Sequence, residues 1–204
     1  MSDAATAISI PTTDVCRGRW IALETQGSLD RFAEIMQIND DRYQGLHLGL
    51  DSWIQSKNNG GQPAEFFGWI PDGSSSDDVL EVLAFTSRRS PDGKRVEPRL
   101  RMLGMAADRI PPSDCCDVQI QLWLARALVL LYELFGCGFP IEAMRPKTMT
   151  FKPMQRFHDF ASRGTVFQVI ENGVPVLRRV DVIGEEDRGH VVHWNLQFSE
   201  VAAI

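Results

Sequence analysis

His190 and His193 are close enough in sequence to suggest a metal-binding pair. In an extended segment, however, residues three apart point to opposite faces, so the two do not chelate one ion. The stretch from His190 to Phe198 alternates, with Val192, Trp194, Leu196 and Phe198 on one side and Val191, His193, Asn195 and Gln197 on the other. The second side reads either as a polar groove around His193 or as an ordinary solvated sheet face. Cys115 and Cys116 stand just ahead of a helix, where a thiol titrates more easily. A nucleophilic cysteine needs a histidine base, and none lies nearby in sequence. The chain has four cysteines and no CxxC pair, and adjacent cysteines do not share a metal easily, which argues against structural zinc. No P-loop, GxSxG or dinucleotide fingerprint occurs.

The elements that hold these residues are easier to read. Residues 1–16 are expected to form a flexible tail and residues 17–204 a single domain. Arg19 to Glu24 reads as a first strand, and Ser28 as the N-cap of a helix carrying Leu29, Phe32, Ile35 and Met36. A second short helix is expected over 46–56, closed by Asn58-Asn59-Gly60-Gly61. Glu65 to Ile70 is a short strand. Val79 to Arg89 and Val96 to Ala107 form a hairpin around Ser90-Pro91-Asp92-Gly93.

A long helix follows over 117–135, capped by Ser113 or Asp114 and ended by Gly136 and Gly138. Its polar residues Gln119, Arg126 and Glu133 recur every seven positions. They read as a narrow wet stripe on a helix otherwise packed all round. Phe139 to Met144 is another strand, and Pro153 opens a short helix. Three strands close the chain over 165–171, 174–183 and 190–198, the first two joined at Asn172-Gly173. The expected class is α/β (α+β), with a mixed, mostly antiparallel central sheet flanked by helices.

Composition narrows the function. Apolar residues make up 44% and charged residues 24%, enough apolar content to fold a core and too much for disorder. A net charge of −6 disfavours a phosphate backbone as partner. Arg88, Arg89, Lys94, Arg95, Arg99 and Arg101 read as a solvated hairpin face. The apolar run from Leu122 to Phe135 is interrupted by Arg126 and Glu133 and is too short for a bilayer. Sparse cysteine and the absence of a signal-like start lead to the expectation of a cytoplasmic protein, with no nucleic-acid or membrane partner.

The order of elements resembles that of the GNAT superfamily of N-acetyltransferases, in its ribosomal-protein and N-terminal acetyltransferase type. Arg17-Gly18-Arg19-Trp20-Ile21-Ala22-Leu23 is similar to the opening strand of that type. The helix ending Leu130-Leu131-Tyr132-Glu133-Leu134-Phe135-Gly136 resembles the helix behind the cofactor. Phe139-Pro140-Ile141-Glu142-Ala143 and His193-Trp194-Asn195-Leu196 resemble the strands that follow.

The resemblance implies acyl transfer from acetyl-CoA or another acyl-CoA to a small-molecule or peptide amine. It assigns Glu97 as general base and Thr148 as a weak stand-in for the family's asparagine on the segment after the fifth strand. Met105, Ala106 and Ala107 become the splayed strand that meets the thioester. Backbone groups around Ser113, Cys116 and Val118 become the pyrophosphate loop. Tyr43, His47 and His193 become acceptor contacts. No metal is implied.

The segment Pro111 to Val118 departs from that pattern: it has no glycine, and Asp114 and Asp117 stand where a polyanion would sit. Phe160 stands where a tyrosine is usual. A second function class therefore stays open: a GNAT-like domain without catalysis, acting as a binding or assembly module. It would bury strands such as 165–170 against a partner or a second copy in a homodimer.

Overall fold

The structure is a computed structural model that describes residues 17–39, 64–75, 77–89, 92–94, 96–106, 118–144, 153–187 and 191–201. It contains two four-stranded antiparallel sheets and three helices among these residues. The first sheet has the order β1 (Gly18–Ala22), β2 (Ala64–Pro71), β3 (Glu81–Arg89), β4 (Val96–Met105). The second has the order β5 (Gly138–Met144), β8 (Val191–Glu200), β7 (Val174–Asp187), β6 (Val166–Glu171). The helices are α1 (Gln26–Asn39), α2 (Val118–Phe135) and α3 (Pro153–Ser162). The expected mixed α/β class, antiparallel sheets flanked by helices, is what the chain forms. The central sheet is divided in two. The expected helix over 46–56 lies outside the described residues.

Alternation in the first sheet sends side chains to two cores. Phe66, Ile70, Val82 and Ala84 face α1, meeting Leu29, Phe32, Ala33, Ile35 and Met36. Leu83, Phe85, Leu100, Leu103 and Met105 face the other way, into a core shared with α2 and α3. The second sheet contributes Phe139, Ile141, Phe167, Val169, Val180, Trp194, Leu196 and Phe198 to that same core. One continuous apolar interior therefore joins the two sheets through the helices between them.

α1 starts earlier than the Ser28 cap implied. Thr25 is the N-cap: its carbonyl accepts from Leu29 N–H at 3.0 Å, and its Oγ1 accepts from Ser28 N–H at 3.3 Å. Ser28 Oγ in turn donates to the Thr25 carbonyl, so this serine is buried inside the first turn. α2 ends at Gly136, whose φ of 80° and N–H bond to the Tyr132 carbonyl close a left-handed C-terminal turn. Gly138 begins β5 instead of terminating the helix. Asn172 and Gly173 have φ of 52° and 79°, the pair of positive values a type I′ hairpin requires.

Arg126 corrects the wet stripe: it is 5% exposed, while Glu133 is exposed to solvent. The register explains why. Trp20, Trp69, Glu81 and Met105 are consecutive partners across β1, β2, β3 and β4. Arg126 crosses this row. Its guanidinium pairs with the Glu81 carboxylate and lies 3.8 Å from the centre of the Trp69 ring. Its own carbonyl accepts a 2.9 Å hydrogen bond from Trp20 Nε1. The stripe's middle member is thus the pin that seats α2 on the first sheet.

A buried ion pair costs most when one partner is removed. Arg126→Met, which removes the guanidinium from the buried Glu81 carboxylate, is expected to destabilise the fold by about 3–5 kcal/mol in urea titrations. Adding Glu81→Leu to it is expected to restore most of that loss. A double variant no more stable than the single one would show that packing, and not charge, sets the cost.

Candidate functional site

β4 and β5 are the edge strands where the two sheets meet. They lie against one another, yet no backbone ladder joins them among the described residues. α2 connects them. Its 18 residues span about 27 Å and run back along β4: Arg126 packs at the Glu81–Met105 pair, and Phe135 meets both Phe85, opposite Leu100, and Phe139 at the start of β5, so that β5 sets out beside β4 in the same sense. The C-terminal ends of β4 and β5 therefore share one end of the molecule. The pairs Met144↔Val191 and Asp187↔Val192 bring the start of β8 and the end of β7 to that end as well.

Two features aim β4 at this junction. Opposite Ala84 and Phe85 the register slips, pairing Ala84 with Met102 and Phe85 with Leu100, so Arg101 is an extra residue in β4. A bulge of this kind bends a strand and increases its twist. Further on, Ala106 N–H donates to the Leu80 carbonyl at 2.8 Å. By antiparallel alternation, the backbone groups of Gly104 and Ala106 then face β3, and those of Leu103 and Met105 face the β5 side. The side chains of Leu103, Met105, Phe139 and Ile141 all belong to the shared core, so this part of the junction is packed.

The expected site residues fall into three groups. Met105 and Ala106 are at the junction, but the Ala106 N–H is committed to β3 and does not face it. Glu97, opposite Arg88, sits eight residues before Met105 on the same strand. That is roughly 26 Å in an extended chain, so one acyl centre does not reach both. His193, half-buried, is on β8 directly opposite Glu142 and Glu186. It lies on the face of the second sheet away from the core, because its neighbour Trp194 points into the core. Val118 is the first residue of α2. Tyr43, His47, Ala107, Ser113, Cys116 and Thr148 lie outside the described residues. No described groups of histidine, cysteine and carboxylate side chains are arranged to hold a metal. No helix among the described residues is long and apolar enough to cross a membrane.

Structure adds residues that sequence reasoning passed over. On the core side of the second sheet, His158 from α3 meets the Trp194 ring edge-on, with centroids 5.1 Å apart. Its Nε2 lies 3.1 Å from Glu185 Oε2, and its Nδ1 lies 3.6 Å from Asp159 Oδ1. Glu185 is the direct cross-strand partner of Trp194. α3 itself touches both β7 and β4, so it bridges the two sheets. The available signal was a histidine adjacent to Phe157 on the apolar helix. Its partners are remote in sequence, which kept the cluster hidden.

At the opposite end of the second sheet, Tyr132 on α2 donates a 2.6 Å hydrogen bond to Glu171 Oε1. Arg178 grips the same carboxylate with bonds of 2.8 and 2.7 Å. Arg178, and then Tyr132, hold the Glu171 carboxyl below its ordinary range. Burial first, and the Glu171 bond second, push the Tyr132 hydroxyl far above its ordinary value, so it remains a donor. This cluster ties the C-terminal turn of α2 to the β6–β7 hairpin. Tyr132, off the polar stripe of α2, has its ring partly packed in the core and its hydroxyl at this polar edge.

No protein-family model matches the chain, and no curated protein matches it. Among solved structures it is similar to one described as "Crystal structure of the NatC complex bound to Gag peptide and CoA". The identity is 6%, the overlap covers 91% of this chain and 99% of that chain, and the TM-score is 0.40. At that score the likeness carries no argument about function.

A depressed carboxyl contributes stability that is present above its unfolded pKa and is lost as pH falls through its folded value. The stability gap between wild type and Arg178→Met is therefore expected to be full at neutral pH. It should narrow below about pH 4, where an unfolded glutamate takes up its proton. Thermal melts across that range provide the check, and a gap independent of pH would show that the ion pair adds nothing.

Proposed function

We propose that the chain is a divergent N-acyltransferase that moves an acyl group, acetyl in the simplest case, from an acyl-CoA to an amine. One observation carries this reading: β4 and β5 meet without a ladder among the described residues, and their C-terminal ends share the end of the molecule from which α2 sets out. A parting of neighbouring strands gives a thioester a place to meet backbone donors. The support is the bulge at Arg101, the turn of the Met105 backbone toward β5, and the element order that resembles an acyltransferase.

The chemistry is one displacement. The neutral amine nitrogen attacks the thioester carbonyl carbon, the C–N bond forms, and the C–S bond breaks. The amine's extra proton goes to a base, and the thiolate takes up a proton. With Phe160 where a tyrosine is usual, that proton comes from water, and Thr148, on the segment after β5, is a weak stand-in for the asparagine of the family it resembles. Glu97 has no part at this centre because of its distance along β4. Glu81 is nearer, opposite Met105, but its carboxylate is engaged by Arg126. Glu185, Glu186 and His193 stand at the shared end of the sheets and would draw a cationic amine toward it.

A second reading, a non-catalytic binding or assembly module, has its own support. Ile170, Val174, Leu177 and Ile183 are exposed large apolar residues on β6 and β7. The packed side chains between β4 and β5 favour it too.

Acetyl-CoA at saturating concentration separates the two. A ligand at a hundred times its Kd adds about 2.7 kcal/mol to stability, roughly 5–10 °C in Tm for a chain of this size. The enzyme reading expects a shift of that order with at least one acyl-CoA. No shift with acetyl-, propionyl- or longer acyl-CoAs, together with a dimer on size exclusion, would leave the assembly reading standing alone.

A further inference from the structure

Trp194 is 3% exposed, and its Nε1 has no hydrogen-bond partner among the described residues. The same holds for both ring nitrogens of His158, whose approaches to Glu185 and Asp159 are close contacts and not directed hydrogen bonds. An indole N–H only donates. Leaving such a donor buried without an acceptor costs about 1–3 kcal/mol, and native interiors rarely leave one so. These nitrogens lie together under a helix that bridges both sheets, and the indole N–H there calls for an acceptor group.

The surroundings select that group's chemistry. It must offer an acceptor to Trp194 Nε1. Glu185, directly across the strand pair and 43% exposed in its side chain, repels anions and accepts N–H groups. Phosphate and carboxylate ligands are therefore disfavoured. An amide satisfies both requirements, its carbonyl oxygen accepting from Trp194 and its N–H donating to Glu185. Partial exposure of Glu185 gives such a group a route in from solvent.

We infer that Trp194, His158 and Glu185 form an amide-binding subsite. Two sources carry that chemistry: the pantetheine arm of an acyl donor and the backbone of a peptide acceptor. The subsite adjoins β5, since Trp194 is opposite Ile141, so its use in transfer rests on the acyltransferase reading. The amide chemistry itself does not.

The chain has five tryptophans, so 15N-labelled full-length protein gives a small, countable set of indole signals. Trp194→Phe, which keeps a ring and deletes the N–H, identifies the one from Trp194. The probes are coenzyme A, trialanine with a free N-terminus, and adenosine 3′,5′-bisphosphate, which lacks the pantetheine arm. The Trp194 signal is expected to move saturably with coenzyme A or with trialanine, and not with the bisphosphate. Glu185→Gln, an exposed and conservative change, is expected to weaken that probe about tenfold.

A signal unmoved by either amide probe at millimolar concentration, showing contact only with water, would overturn the subsite. So would movement with the bisphosphate alone, or full affinity in both variants. If acetyl-CoA stabilises the protein while the Trp194 signal stays still, the subsite fails and the transferase reading survives. If trialanine moves the signal and no acyl-CoA stabilises the fold, the reverse holds.

Discussion

A single buried cation sets where the long helix sits. Arg126 is carried into the interior by an otherwise apolar helix, where an unpaired charge costs several kcal/mol even after relaxation. The first sheet answers it with one row of residues, Trp20, Trp69 and Glu81, on three neighbouring strands. Each supplies a different interaction: a hydrogen bond to the carbonyl, a ring face, and a carboxylate. The three contacts together favour one register of α2 on the sheet. Met105 is the fourth member of the row, which places the end of β4 relative to the helix that follows it.

From that register the rest of the molecule is constrained. α2 returns the chain and β5 sets out alongside β4, but the two edges do not zip. Part of the reason is local to β4, where the extra residue Arg101 bends the strand. Another part is the demand of the second sheet, which turns only one face to the core. There Trp194, Leu196 and Phe198 pack beneath α2 and α3, while Asn195 and Gln197 face solvent. α3 then closes the interior by touching both sheets, with Phe157 and Phe160 in the core and His158 turned toward Trp194. At the far end, the Tyr132, Glu171 and Arg178 cluster fastens the helix's last turn to the β6–β7 hairpin.

Much of this was legible before any coordinates. The β3–β4 hairpin, the end of α2 at Gly136, the start of α3 at Pro153 and the turn at Asn172-Gly173 each depend on a local signal, and each is where the residues said. What escaped was non-local. Thr25 and Ser28 are both good caps, and only the path of the chain decides between them. Arg126 at a seven-residue spacing reads as solvated until a carboxylate 45 residues away is brought against it. β7 runs on to Asp187 because a slip at Ile183 lets it keep pairing with β8 through an irregularity that alternation alone does not anticipate. The site was harder still. Six of the eleven residues the family resemblance selected fall outside the described segments. The cluster that structure adds, His158 with Glu185 and Trp194, unites a helix and two strands with no shared motif.

The junction between β4 and β5 and the cluster under α3 bear on one question in different ways. A junction filled by Leu103, Met105, Phe139 and Ile141 is stable without a ligand, which is what a domain that has left catalysis would keep. Yet such a domain gains nothing from leaving an indole N–H buried without an acceptor one strand away. Core drift toward apolar residues would remove that donor at once, since phenylalanine packs as well and costs no desolvation. The two observations are reconciled if apolar side chains seal the middle of the junction and binding happens at its rim. There α3 bridges the sheets, and Glu185 reaches solvent while Trp194 does not. On that view the packed interior supports the site and does not replace it.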